Sequence, residues 1–141
     1  MERATRLVVV YGVIVNDSRK MLVVQRAEHD THPLMWEFPG GLVEENEDPI
    51  SATKREVFEE TGVRVDPLYP ISVASDVSSS KNQLVVRIAF LCKYTGGEII
   101  LSNEHNTYQW ISEDDALKLK HSDLLAKTIE VLKINPYLIK I

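Results

Sequence analysis

Apolar residues in this chain gather in short runs separated by polar stretches rich in turn-forming residues. Leu7–Val15 is a run of mainly Val and Ile closed by Asn16-Asp17-Ser18, and Met21–Gln25 is a second. β-branched residues favour strands and the Asn-Asp-Ser cluster favours a turn, so these runs predict a β-hairpin turning over Asn16–Lys20. Arg26–Trp36 is polar, holds His29, His32 and Pro33, and reads as a loop. Phe38-Pro39-Gly40-Gly41 marks a chain reversal.

The period changes at Asp48–Thr61, where helix punctuation stands at both ends. Asp48 can cap, Pro49 suits the first helical position, and Gly62 suits the residue just past the end. Ile50, Thr53, Val57 and Thr61 fall on one helical face with Phe58 beside them, which predicts the side packed on the core. Farther on, Pro67–Ala74 and Leu84–Tyr94 read as strands joined by the polar stretch Ser75–Asn82. Thr95-Gly96-Gly97 reads as a turn and Tyr108–Ile111 as a short strand. Ser112-Glu113-Asp114-Asp115 resembles a helix start before Ala116–Lys120, and Asp123 is placed to cap a last helix, Leu124–Ile134. Strands, helix, strands, helices in that order predict an α/β (α+β) fold: a mixed sheet with helices on its faces.

With 141 residues, 44% of them hydrophobic and 26% charged, the chain predicts one soluble domain, 1–141, with a core that needs no disulfide or metal staple. A net charge of −5 argues against a protein that coats a nucleic-acid polymer. It is compatible with a small phosphorylated substrate, because carboxylates hold metal ions and metal ions hold phosphates. The single cysteine, Cys92, cannot form an internal disulfide; a buried thiol and a cytoplasmic location are the expectations. Leu7–Val15 is too short to cross a bilayer and no cleavage site follows it, so no membrane association is expected.

The chemistry lies in Arg55-Glu56-Val57-Phe58-Glu59-Glu60-Thr61-Gly62-Val63. Glu56, Glu59 and Glu60 are spaced i, i+3 and i+4, which at 3.6 residues per turn predicts three carboxylates pointing outward from one side of the helix. Clustered anions repel, and a divalent cation relieves the repulsion. Oxygen-only ligands favour hard cations, Mg²⁺ first and Mn²⁺ second. A glutamate trio by itself is more often a solvated helix face than a metal site.

The wider spacing changes that balance. Gly41, Glu47, Arg55-Glu56-Val57, Glu59-Glu60 and Gly62-Val63 stand at the intervals G-x5-E-x7-R-E-U-x-E-E-x-G-U, with U apolar. Gly41–Val63 therefore resembles the Nudix box at every fixed position. The resemblance implies an α/β/α sandwich in which a loop–helix–loop binds divalent metal and a substrate diphosphate. It implies metal ligation by Glu56, Glu59 and Glu60, with the backbone carbonyl of Gly40 as a further ligand. Arg55 is the expected orienting residue and Glu47 its salt-bridge partner.

Trp36-Glu37-Phe38-Pro39-Gly40-Gly41 is similar to the same stretch of the MutT-like branch, and Arg26 stands at the matching distance upstream. This resemblance implies hydrolysis of a nucleoside triphosphate, normal or oxidised, to monophosphate and pyrophosphate. Arg26, Trp36, Phe38 and Gly41 are then the expected substrate-binding residues, with packing and base stacking equally open for Trp36. Residues near His121–Asp123 are candidates for reading the base edge. Glu104, upstream of Trp110-Ile111-Ser112, matches a loop glutamate that serves the branch as metal ligand or general base, and His105 could assist it. Hydrolysis of ADP-ribose or another nucleotide sugar is the alternative, as is a nucleotide sensor without catalysis. Expected partners are a small nucleotide and a second copy of the chain in a homodimer.

Overall fold

A computed structural model describes residues 3–139. Seven strands are formed by Thr5–Ile14 (β1), Met21–Arg26 (β2), Trp36–Glu37 (β3), Gly40–Leu42 (β4), Arg64–Ser78 (β5), Gln83–Gly96 (β6) and His105–Ile111 (β7). The helices are Pro49–Thr61 (α1), Glu113–Ala116 (α2) and Asp123–Ile134 (α3), followed by a 3₁₀ turn, Pro136–Ile139. One sheet has the order β4-β1-β6-β5 and a second the order β3-β2-β7. The first is mixed: β1 and β6 run parallel from Thr5↔Gln83 to Ile14↔Cys92, while β4 and β5 pair antiparallel on the outside.

Alternation along the strands sorts side chains to the two faces, and each face carries a helix. Val10 and Ile14 of β1, Leu22 of β2 and Phe90 and Cys92 of β6 pack with Ala52 and Val57 of α1. Val13 of β1, Met21 and Val23 of β2 and Ala89 and Leu91 of β6 pack with Leu124, Leu125, Ile129 and Leu132 of α3. Strands buried on both faces read as continuous apolar runs rather than alternating ones, as β2 does. The result is the expected α/β/α sandwich. Cys92 is buried as expected, and burial pushes its thiol up to about 12. No helix among the described residues is long and apolar enough to cross a membrane.

Several sequence expectations change. The predicted hairpin is reduced to the single bridge Val15↔Met21, because β1 spends both its edges on β4 and β6 and sends β2 into the other sheet. Ser75–Ser78, read as connection, is strand: its backbone pairs with Gln83–Val86 of β6. Thr95 and Gly96, read as turn, end β6 instead, where Gly96 pairs with Arg64. Helix α2 is a single turn capped by Ser112, shorter and earlier than predicted. Ser122 rather than Asp123 caps α3, its hydroxyl accepting from Leu125 N–H at 3.2 Å. Ile50 and Phe58 of α1 are each 48% exposed, so neither belongs to the core face.

Candidate active site

Helix α1 is held at both ends by local chemistry. The Asp48 carboxylate accepts from Ser51 N–H at 2.8 Å, and Gly62 closes the helix at φ 77°, a left-handed conformation that glycine adopts without strain. The buried stripe is Thr53, Val57, Glu60 and Thr61, the i, i+4, i+7, i+8 positions. Glu60 therefore faces inward, which corrects the expectation of three outward carboxylates. It is 7% exposed, and one of its oxygens accepts from Gly40 N–H at 3.0 Å. Burial, aggravated by the neighbouring Glu37, Glu56 and Glu104, pushes its carboxyl up to about 9.

Arg55 is the hub of the outer side. Its Nε and Nη2 donate to both oxygens of Glu47 at 2.7 and 2.9 Å, and Nη2 also donates to the Leu42 carbonyl at 3.0 Å. Its Nη1 donates to Glu56 at 2.9 Å and to Glu59 at 3.1 Å. The paired bonds to Glu47 hold the guanidinium firmly charged and hold the Glu47 carboxyl below its usual range. Glu56 is pushed up by burial, against the pull of Arg55. Its carboxylate lies directly on Gly41, in the space a Cβ would fill.

Glu56 and Glu60 wall one end of a two-compartment cleft. The first compartment, about 430 Å³, is lined by Gly40, Gly41, Glu56, Glu60, Glu104 and His105. The second, about 310 Å³, is lined by Met35, Ala74, Asp76, Ser122, Asp123 and Leu124. Tyr11, Arg26, Glu37 and Arg87 line both and form the waist between them. Glu56 and Glu60 are thus joined by Glu104, whereas Glu59 is exposed beside Arg55 and does not line the cleft. A larger cleft of about 580 Å³, between Asn16, Arg19, Lys93 and Trp110, holds none of these carboxylates.

At the waist, Arg26 Nε donates to Glu37 at 3.0 Å and Nη1 to Asp30 at 2.9 Å. His105 Nε2 lies 3.3 Å from the same Glu37 oxygen, and its buried Nδ1 has no partner. Burial, then Glu37, pushes the Tyr11 phenol up, so it remains protonated at neutral pH. Trp36 and Phe38 are 7% and 1% exposed and belong to the α3-side core, so the structure favours packing over stacking for both. Of His121–Asp123, Ser122 and Asp123 reach the second compartment; His29 is exposed and lines neither.

Sequence reasoning passed over Glu37, Tyr11 and Arg87. A signal existed for each: Glu37 stands between two core aromatics in an extended stretch, and Tyr11 and Arg87 interrupt otherwise aliphatic strands. A polar group within such a run either finds a partner or faces a site.

The NUDIX domain profile matches residues 5–132. The chain belongs to the Nudix family. A MutT-like protein of Streptomyces ambofaciens is 34% identical over 106 residues, covering 75% of this chain and 64% of that protein. An 8-oxo-dGDP phosphatase of Danio rerio is 30% identical over 135 residues, covering 92% of this chain and 40% of that one. The chain thus spans less than two thirds of the length of either relative. The crystal structure of a MutT protein from Methanosarcina mazei superposes with a TM-score of 0.83 at 25% identity, over 96% of this chain and 99% of that one.

Nudix hydrolases generally use divalent metal cations. The donors here fit one. Glu56, Glu60 and Glu104 supply only oxygens, Glu60 is a carboxylate whose charge burial penalises, and the missing side chain of Gly41 leaves room for the Glu56 carboxylate. Among the described residues, no three His, Cys, Asp or Glu side chains are already gathered into a metal-ligand cluster. A pH dependence follows. The Glu60 carboxyl titrates near 4.5 in an unfolded chain and near 9 in the folded one. Its contribution to stability is complete below the lower value and is lost as pH rises towards the higher. In EDTA, the melting temperature of the wild type relative to Glu60→Gln should fall between pH 5 and pH 8.5. Thermal denaturation checks this, and a difference that stays flat or rises would refute the burial argument.

Proposed function

We propose that the chain is a Mg²⁺-dependent Nudix hydrolase that splits nucleoside triphosphates into monophosphate and pyrophosphate. The supporting observation is the cleft itself, with three carboxylates at one end and a half-apolar recess formed by Met35, Ala74 and Leu124 at the other. Such a groove suits an elongated molecule that is polyanionic at one end and carries a flat base at the other.

Glu56, Glu60 and Glu104 would hold the cation, with the Gly40 carbonyl beside them. A bound divalent cation neutralises phosphate oxygens and makes water a stronger acid. The remaining work falls to the chain. Gly40 N–H fixes one Glu60 oxygen, and Arg55 fixes Glu56, so neither carboxylate must be reoriented when substrate arrives. Glu104 is exposed and carries its carboxylate on a loop before β7, free to approach a water and accept its proton. Glu37, held by Arg26 and His105, bounds the waist. Ser122 and Asp123 face the base end.

Glu104→Gln is expected to lower kcat by about 10²-fold or more while KM changes little, since a proton acceptor acts in the transition state. Steady-state kinetics would show the split, and an equal rise in KM would assign Glu104 to binding instead. The test of the function is a panel of normal and 8-oxo nucleoside di- and triphosphates, ADP-ribose, nucleotide sugars and dinucleoside polyphosphates, assayed with and without Mg²⁺ and scored by product. Monophosphate plus pyrophosphate from a triphosphate supports the reading. A tenfold preference for ADP-ribose or a nucleotide sugar, about 1.4 kcal/mol in transition-state binding, overturns it. Binding without turnover of anything in the panel supports a sensor.

A further inference from the structure

We propose that Arg87 grips the phosphate adjoining the nucleoside, exchanging its ion pair with Asp76 for that phosphate when substrate enters. This inference rests on the nucleotide reading above and deepens it. The first compartment is strongly acidic: Asp30, Glu37, Glu56, Glu60 and Glu104 all line it. A nucleotide entering it needs positive charge from the protein as well as from bound cations. Among the described residues lining the two compartments, the permanently charged cations are Arg26 and Arg87.

The two are not equally available. Arg26 is committed to Glu37 through Nε and to Asp30 through Nη1, with side-chain exposures of 10% and 28% at those carboxylates. Withdrawing it would take from Glu37, a nearly buried charge, its permanently charged partner. Arg87 has Asp76 as its ion-pair partner, and that carboxylate is 70% exposed. An exposed pair contributes little and is cheap to exchange, because water takes over the released carboxylate. The guanidinium also presents a planar fork that matches a phosphate.

Position agrees with this role. Arg87 pairs with Val9 of β1 on one side and Ala74 of β5 on the other, and Val9 and Val10 pair in turn with Leu42 and Gly41 of β4. Two strand spacings, about 10 Å, therefore separate Arg87 from the glycine strand against the carboxylates. A nucleotide with its outer phosphates at the carboxylates brings its innermost phosphate to the waist. There Tyr11, whose phenol stays protonated, adds a second group able to donate.

The test is calorimetric binding in EDTA of each common nucleoside 5′-monophosphate and of its parent nucleoside. The proteins are wild type, Arg87→Ala, Arg87→Lys and Asp76→Asn. Arg87→Ala should weaken monophosphate binding about tenfold or more and leave nucleoside binding unchanged. Arg87→Lys should recover part of the loss. Asp76→Asn, which removes the competing carboxylate at an exposed position, should tighten monophosphate binding roughly two- to fivefold. Equal monophosphate affinity in wild type and Arg87→Ala overturns the proposal, as does weakened binding in Asp76→Asn or no monophosphate binding by wild type. The hydrolase reading fails separately: if the Mg²⁺ panel shows no turnover while monophosphate binding depends on Arg87, the anion site stands and the hydrolase does not.

Discussion

Glu60→Gln and, separately, Glu56→Gln are each expected to cut kcat/KM by about two to three orders of magnitude while the protein stays folded. Each change keeps size and removes one charge from the carboxylate end of the cleft. Glu60→Gln retains an oxygen to accept from Gly40 N–H, so the contact between α1 and β4 survives. It also removes an acid that the fold must keep protonated at pH 8 while the unfolded chain would ionise it, so without metal the variant should melt at or above the wild-type temperature at that pH. Activity and stability should thus move in opposite directions, a pattern that misfolding cannot produce. Steady-state kinetics at saturating Mg²⁺ beside thermal denaturation in EDTA would read both. Near-normal turnover in either variant would remove the carboxylate from the mechanism.

The second large effect separates two adjacent glycines. A Cβ on Gly40 would overlap the Val10 carbonyl oxygen and come within 2.7 Å of Tyr11 Cα, both backbone atoms of β1. Neither can yield without breaking the β1–β4 pairing. Gly40→Ala should therefore destabilise by about 1–3 kcal/mol or more and abolish activity with the fold. A Cβ on Gly41 would instead overlap the Glu56 carboxylate, the far end of a flexible side chain. That group can swing aside at the cost of its bond to Arg55. Gly41→Ala should keep most of its stability and lose activity to about the same degree as Glu56→Gln. Equal melting temperatures for the two alanine variants would contradict the register of β4 against β1.

The candidate site was legible in the sequence where its determinants are local. The Asp48 cap, Pro49, Gly62 and the glutamate spacing all act within a few turns of one helix, and Arg55 met Glu47 as expected. Even the burial of Glu60 was readable, since it stands three residues after Val57 and seven after Thr53. Counting the three glutamates as one outward group hid this. Trp36 and Phe38 illustrate the opposite limit. An aromatic in an extended stretch stacks on a ligand or packs in a core, and which it does depends on what covers it; here α3, from the far end of the chain, supplies the cover.

By itself the sequence determined most of the strands and helices and the carboxylate helix, because propensity, capping and period act between near neighbours. Only the tertiary structure decided which strands pair, and with that the shape of the cleft. A strand has two edges, and β1 gave its own to β4 and β6, the latter joined to it across a long sequence separation. That competition cancelled the hairpin with β2, set Gly41, Tyr11 and Arg87 on three neighbouring strands around one cleft, and brought Glu104 into the same cleft as Glu56 and Glu60. Long-range pairing is settled by the combined burial of both faces, a quantity no local window of residues contains.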